Sequence, residues 1–186
     1  MKTYTIIGGV NGVGKSSFSG VLRRHRLDMG KIIDPYCIAA KEHCDKLKAG
    51  RLAIQEVNRA MQNGWNFTQE TTLSGRRTLQ TILDARQRDY QIRLYYIGVN
   101  SAEESLIRIA NRVRKGGHDI PENDVRRRYE KRFTDLHKIL PYCDEAHFFD
   151  NENGFTEVAV YQNGELIPIC ETLPQWLQTF RELFLK

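Results

Sequence analysis

The chain has 186 residues, of which 40% are hydrophobic and 27% charged, and it carries a net charge of +5 at neutral pH. A chain of this size buries most of its apolar surface in one core without disulfide staples, and domains cluster near about 100–150 residues, so a single domain is expected. No run approaches the roughly 18–20 apolar residues of a membrane helix, which excludes a spanning protein. The amino terminus turns into glycine too soon to form the apolar stretch of a secretion signal, and a cytoplasmic protein is the expectation.

Cys37, Cys44, Cys143 and Cys170 form no C-x-x-C pair, so neither a zinc site nor a thioredoxin-like redox motif is indicated. The charge is local. Between Arg108 and Arg132 nine basic and four acidic residues give +5, which leaves the remainder of the chain neutral. A concentrated excess of this kind suits an anionic partner better than it suits a general polyanion surface.

In chain order, the β-branched apolar run Tyr4–Gly8 predicts a first strand that enters a glycine-rich loop, followed by a helix from Lys15 to about Arg26. Lys31–Asp34, Asn66–Glu70 and Ile92–Val99 predict further strands, and Ala146–Phe149 a weaker fifth. Helical patterns lie between them. This alternation predicts an α/β domain with a mostly parallel sheet and right-handed crossovers, in three layers. Ser101-Ala-Glu-Glu104 has the spacing of a capping box and predicts a helix to about Lys115. Gly116-Gly117 ends it, and Pro121 with Glu122 and Asp124 opens the next, so the basic segment is read as a helical hairpin. Asn163-Gly164 between apolar stretches predicts a type I′ hairpin. Trp176, Leu177, Phe180, Leu183 and Phe184 predict the core-facing stripe of a last helix.

Gly9-Val-Asn-Gly-Val-Gly14-Lys15-Ser16 satisfies G-x-x-x-x-G-K-[ST], between a strand and a helix as the motif requires. Gly9, Gly12 and Gly14 allow the backbone of Asn11, Val13 and their neighbours to curl, so that successive N–H groups, through Ser17 at the helix start, face one concavity with the positive end of the helix. Phosphate oxygens fit there. Lys15 reaches β- and γ-phosphates, and the Ser16 hydroxyl offers one ligand to Mg²⁺, so ATP or GTP with magnesium is the expected cofactor. The absence of an N-K-x-D tetrad lowers the GTPase reading. The third strand ends in Thr68-Gln69-Glu70 rather than in an apolar run closed by Asp, so a motor-type Walker B is absent or displaced. The basic hairpin, about residues 108–132, carries Arg112, Arg114 and Lys115 on one helix and Arg126, Arg127 and Arg128 on the next, in the manner of a lid that closes over a transferring phosphoryl group. Three consecutive arginines fan over about 200° of a helix, so at least one of them is solvated surface, and Arg112 and Arg114 beside the glycine hinge are the better candidates for the chemistry.

These residues resemble the zeta toxins and their small zeta-toxin-like relatives among the P-loop kinases. The resemblance covers about Thr5 to Asn151. It rests on Gly8–Ser17, on Ile33–Ala39, on Phe67-Thr-Gln-Glu-Thr-Thr-Leu-Ser-Gly75 and on Asn111-Arg-Val-Arg-Lys-Gly-Gly-His-Asp-Ile-Pro-Glu-Asn-Asp-Val-Arg-Arg-Arg-Tyr129. It implies a nucleoside-kinase-like fold, ATP-dependent phosphorylation of the 3′-hydroxyl of the amino sugar in UDP-N-acetylglucosamine, and commonly a small antitoxin partner that blocks the ATP site. By position it assigns Lys15 and Ser16 to nucleotide and magnesium, Glu70 and Thr72 to the sugar-nucleotide substrate, and Arg112 or Arg114 with Arg128 to the lid.

One block departs from the family. Where the family reads apolar-Asn-Pro-Asp-x-Ile-Ala with the Asp as base, this chain reads Ile33-Asp34-Pro35-Tyr36-Cys37-Ile38-Ala39. A phenol, with a pKa near 10, is a poor base at neutral pH. Pro35 biases Asp34 toward extended geometry, in which residues two apart share a side, so Asp34 and Tyr36 are expected to face one cleft. Asp34 is then either a base for the acceptor hydroxyl or the cap of the following helix. Glu70 is the second candidate, as base or magnesium-shell ligand, and His118 in the lid is read as incidental. The leading expectation is a small-molecule kinase for a hydroxylated, phosphate-bearing acceptor. Its rivals are a non-catalytic ATP-binding module degenerate at Tyr36 and a nucleic-acid kinase. The last of these ranks lowest, because no platform of interleaved aromatics accompanies the basic stripe.

Overall fold

The computed structural model describes residues 1–185. Its strands are β1 (Lys2–Gly8), β2 (Lys31–Ile33), β3 (Phe67–Thr71), β4 (Tyr90–Gly98), β5 (Glu145–Asp150), β6 (Thr156–Gln162) and β7 (Glu165–Pro168). They form one sheet in the order β2-β3-β1-β4-β5-β6-β7. The first five are parallel, and β6 and β7 add an antiparallel hairpin at one edge. Asn163 and Gly164 turn that hairpin with φ of 53° and 87°, the two positive values that a type I′ turn needs.

The helices are α1 (Lys15–His25), α2 (Pro35–Lys41), α3 (Lys46–Asn63), α4 (Arg77–Arg86), α5 (Ala102–Arg114), α6 (Glu122–Ile139) and α7 (Gln175–Phe184). Alternate residues of β1 and β4 decide which helix meets which face. Tyr4, Ile6, Ile92, Leu94 and Tyr96 join one core with residues of α3, α4, α6 and α7, whereas Ile7, Tyr95 and Ile97 join a second under α1. The sheet is therefore sandwiched between helices, as a parallel sheet with two apolar faces requires. No helix among the described residues is long and apolar enough to cross a membrane, and all four cysteines are free thiols.

Two local expectations are corrected. Ser101 caps α5 by accepting from Glu104 N–H at 3.2 Å, but the reciprocal half of the capping box is missing. The Glu104 carboxylate lies instead 4.0 Å from Arg108, one turn along, and its buried Oε2 has no hydrogen bond. In α7, Trp176, Leu177 and Phe180 are buried as predicted, whereas Leu183 is 64% exposed. At about 100° per residue it falls just outside the arc that the other three define.

The start of β3 is held by an aromatic stack: Phe67 lies against Tyr4, with ring centroids 4.4 Å apart and planes at 16°, and meets Tyr90 edge-on. Because β3 carries Glu70 to the sheet's carboxyl end, this stack aligns the strand that serves the cleft. Replacing the fully buried Phe67 by alanine removes that packing, and we expect Phe67→Ala to lower stability by about 3–5 kcal/mol in urea titrations.

Candidate functional site

In an open parallel sheet the carboxyl ends of the strands, where the order reverses, form a crevice that no strand fills. Here the reversal falls at β1, which has β3 on one side and β4 on the other. A cleft of about 910 Å³ opens there. Its walls are the phosphate loop after β1, the start of α2, the end of β3 and the α5–α6 hairpin.

The phosphate loop takes the curled path its glycines permit. Gly9, Gly12 and Gly14 have φ of 141°, 82° and 93°, and Gly14 in left-handed geometry delivers the chain into α1. The first turn of α1 holds no acidic residue, so the positive end of the helix faces the cleft uncompensated. Asn11, Gly12, Gly14, Ser16 and Ser17 line the cleft, while Val13 turns its side chain into the core beneath α1 and Gly9 packs against the Ile97 carbonyl. Lys15 folds back on the loop, with Nζ 2.9 Å from the carbonyls of both Gly9 and Val10. Burial lowers the Lys15 pKa to about 8; Glu70 and Asp34 pull it upward, and Arg112 and Arg128 push it further down.

Two carboxylates stand at the ends of neighbouring strands. β2 and β3 run parallel with Ile33 beside Gln69, so the next step along each chain sets Asp34 next to Glu70. Glu70 Oε2 accepts from the Ser16 hydroxyl at 2.7 Å and Oε1 from the Ser19 hydroxyl at 2.5 Å. Burial raises the Glu70 pKa, the two serine hydrogen bonds oppose that rise, and neighbouring Asp34 adds to it. The sequence offered no apolar strand closed by Asp, yet this glutamate occupies the place beside the P-loop serine that such a carboxylate serves. Ser19 carried no signal in the sequence, because a serine one turn into a helix reads as ordinary surface; only the fold shows it to be 4% exposed and bonded to Glu70.

Asp34 is the cap of α2 and also faces the cleft. Its backbone is extended, with φ −123° and ψ 117°, as the following Pro35 favours. Its Oδ1 caps α2 by accepting from Tyr36 N–H at 2.9 Å, and its buried carboxylate lines the cleft. Tyr36 lines the same cleft as expected, although it does so from the first turn of α2 and not from extended chain, and its ring meets the edge of His118 from the α5–α6 loop at a centroid distance of 5.4 Å. Thr72 also faces the cleft, with its hydroxyl 2.8 Å from that of Ser74.

The basic hairpin divides its charges. Arg108, Arg112, Lys115 and Arg128 line the cleft, and Arg128 donates from Nη1 to Asn11 Oδ1 at 2.6 Å. Arg112 donates to the His118 carbonyl at 2.6 Å. Arg126 is spent on Glu103 and Glu122, and Arg127 on Asp124, which makes them the solvated part of the arginine run. Arg114 does not join the cleft: it is exposed and bonded to Asn111 Oδ1. Residues two apart on a helix differ by about 200°, so Arg112 and Arg114 cannot share a face, whereas Arg108 lies one turn from Arg112 and does. Asn151 and Lys46 complete the walls without any motif to announce them.

The sequence pattern of the zeta toxin family matches residues 41–168. The chain is a member of the zeta toxin family. That match takes in β3, β4 and the α5–α6 hairpin and begins beyond the phosphate loop. An uncharacterised protein of Haemophilus influenzae is 37% identical over 127 residues, which is 65% of this chain and 88% of that protein. Among solved structures, one from the PezAT chromosomal toxin-antitoxin system of Streptococcus pneumoniae superposes with a TM-score of 0.65 at 16% identity, covering 99% of this chain and 78% of the other. AvrRxo1-ORF1:-ORF2 with ATP gives 0.68 at 14% identity, covering 99% and 64%. At such identities the likeness lies in the fold, and it extends over the phosphate loop and α7 as well as the matched segment.

The depressed Lys15 pKa gives the site a pH signature. Below about pH 8 the ammonium that meets a polyphosphate is already present, and above it binding has to take up a proton. Affinity for inorganic triphosphate, measured by calorimetry, is therefore expected to fall by up to about tenfold per pH unit above about 8, with proton uptake that varies with buffer ionisation heat.

Proposed function

We propose that this member of the zeta toxin family is a cytoplasmic, ATP-dependent phosphotransferase that moves the γ-phosphoryl group to a hydroxyl of a phosphate-bearing acceptor, with a sugar nucleotide of the UDP-N-acetylglucosamine type as the leading acceptor. The observation that carries the reading is the pair Asp34 and Glu70, set side by side at the mouth of the phosphate loop with Lys15 between their fields.

The pair has a division of labour. Glu70 is engaged by Ser16 and Ser19, whereas Asp34 uses one oxygen as a cap. Asp34 is assigned the proton of the acceptor hydroxyl, the role that the family gives to the position here held by Tyr36. Ser16 and Glu70 fit a magnesium ion, which prefers a few hard oxygen ligands and completes its octahedron with phosphate and water. Ser16 and Glu70 would hold such an ion, which would supply positive charge to offset that of the phosphate oxygens. Lys15 has to exchange the carbonyls of Gly9 and Val10 for phosphate oxygens, a small swing in which charged acceptors replace neutral ones.

Residues of about 108–132 are assigned the part of a lid, in which Arg112 and Arg128 meet the transferring phosphoryl group and exclude water from it. Arg108 faces the same cleft from one turn away, and Arg114 is left out of the chemistry. Tyr36, Thr72 and Lys46 line the acceptor side, where hydroxyls and a cation suit a polyhydroxylated anion. A protein partner that covers the nucleotide end of this cleft would act as an antitoxin.

The deciding experiment incubates the protein with Mg-ATP and UDP-N-acetylglucosamine and reads the products by mass spectrometry. Phosphorylated sugar nucleotide is expected from the unmodified chain, with on the order of a thousandfold less from Lys15→Ala and about 10²–10⁴-fold less from Asp34→Asn. ATP binding without that product moves the search to other hydroxylated acceptors. A Tyr36→Asp variant that gains transfer while the unmodified chain has none identifies a degenerate binding module instead.

A further inference from the structure

The loop after β5 carries no motif, yet it is fastened at several points. Asn151 donates from Nδ2 to the Val13 carbonyl of the phosphate loop at 2.8 Å, and its own carbonyl accepts from the Arg108 guanidinium. Its N–H reaches the Gly98 carbonyl at 3.3 Å. Arg108 and Asn151 both line the cleft. The preceding Asp150 divides its carboxylate: Oδ2 accepts from Glu152 N–H at 3.0 Å, and Oδ1 accepts the indole N–H of Trp176 at 2.8 Å.

Trp176 belongs to α7, outside the segment that the family pattern matches. It is 2% exposed, its backbone N–H donates to Asn100 Oδ1 at 3.2 Å, and its ring lies against Gly98 so closely that any β-carbon there would overlap it. A buried indole with one donor and a carboxylate acceptor makes a charge-assisted hydrogen bond that fixes both groups. Packing alone needs only the ring. The N–H matters for a different reason: it sets the carboxylate that shapes the Asp150–Glu152 turn, and that turn aims Asn151.

We propose that Trp176 is a positioning residue for nucleotide binding, holding the turn after β5 so that Asn151 keeps the phosphate loop and Arg108 in their binding geometry. The inference rests on the ATP reading above and adds the C-terminal helix to the nucleotide site. Replacing the indole by a phenyl ring keeps an aromatic group in the core but removes the N–H that holds the turn, and binding then has to order it again.

The test measures the Kd of a non-hydrolysable Mg-ATP analogue by calorimetry, well below the melting temperature. Trp176→Phe is expected to raise Kd by roughly five- to tenfold, the loss of one hydrogen bond to a charged group. Asn151→Ala raises it similarly, and the double variant is no worse than the weaker binder of the two, because both changes cut one chain of contacts. Phe180→Leu loosens the same helix without touching the turn and is expected to lower Tm while leaving Kd unchanged. An unchanged Kd in Trp176→Phe, multiplying effects in the double variant, or an equal rise in Phe180→Leu overturns the proposal. If Trp176→Phe does not fold, Asp150→Ala, which removes the acceptor of the indole N–H, reads the same link, with a raised Kd expected and an unchanged one overturning it. Failure of the unmodified chain to bind the analogue sinks the ATP reading itself and is thereby distinguished from all of these.

Discussion

An ammonium group buried at the end of a sheet is costly unless anions or dipoles surround it, and the arrangement around Lys15 follows from that constraint. Two backbone carbonyls hold Nζ, and Asp34 and Glu70 supply the nearest opposing charge. Burial still wins over these partners, so the lysine sits with a lowered pKa. A polyphosphate is the anion that the curled loop, the helix end and the two facing arginines all favour. Arg112 and Arg128 face the same cleft, each tied to a neutral oxygen, of His118 and Asn11, and each free to meet a phosphate.

The carboxylate that the family carries after the proline stands before it in this chain, at Asp34, with Tyr36 in the family's position. Asp34 is the extended cap of α2 and Tyr36 lies in that helix's first turn, and both line the cleft, so moving the carboxylate by two residues keeps it on the same wall. Asp34 is anchored through its cap bond to Tyr36 N–H, which fixes its rotamer, and it stands beside Glu70 because β2 and β3 are in register. The phenol at position 36 gains a structural neighbour in His118, which gives that histidine a place that its isolation in the sequence did not suggest. Both ends of the cleft are thus built on strand ends and helix starts, the rigid parts of the fold.

Local patterns carried much of this into view. The phosphate loop was legible because its function depends on glycine geometry and on one adjacent strand and helix, all contiguous in the chain. The Asn163-Gly164 turn and the Ser101 cap were legible for the same reason, although Glu104 lies toward Arg108 at 4.0 Å and does not complete its box. Arg112 and Arg114 cannot share a face, so of that pair only Arg112 lines the cleft, together with Arg108 one turn before it. Ser19, Asn151 and Trp176 were invisible, because each acts on a residue 51, 138 or 26 positions away.

What the sequence by itself determined was the chemistry available: a phosphate cradle, a basic hairpin, a displaced carboxylate and the alternation that makes a parallel sheet. These are properties of short segments, set by backbone freedom, side-chain charge and periodicity. Only the tertiary structure decided which groups meet. The register of β2 on β3 brings Asp34 and Glu70 together, the depth of the cleft lowers the Lys15 pKa, and the return of the chain through α7 ties Trp176 to the turn over the phosphate loop. Burial and register are sums over contacts distant in sequence, and for that reason no short segment contains them.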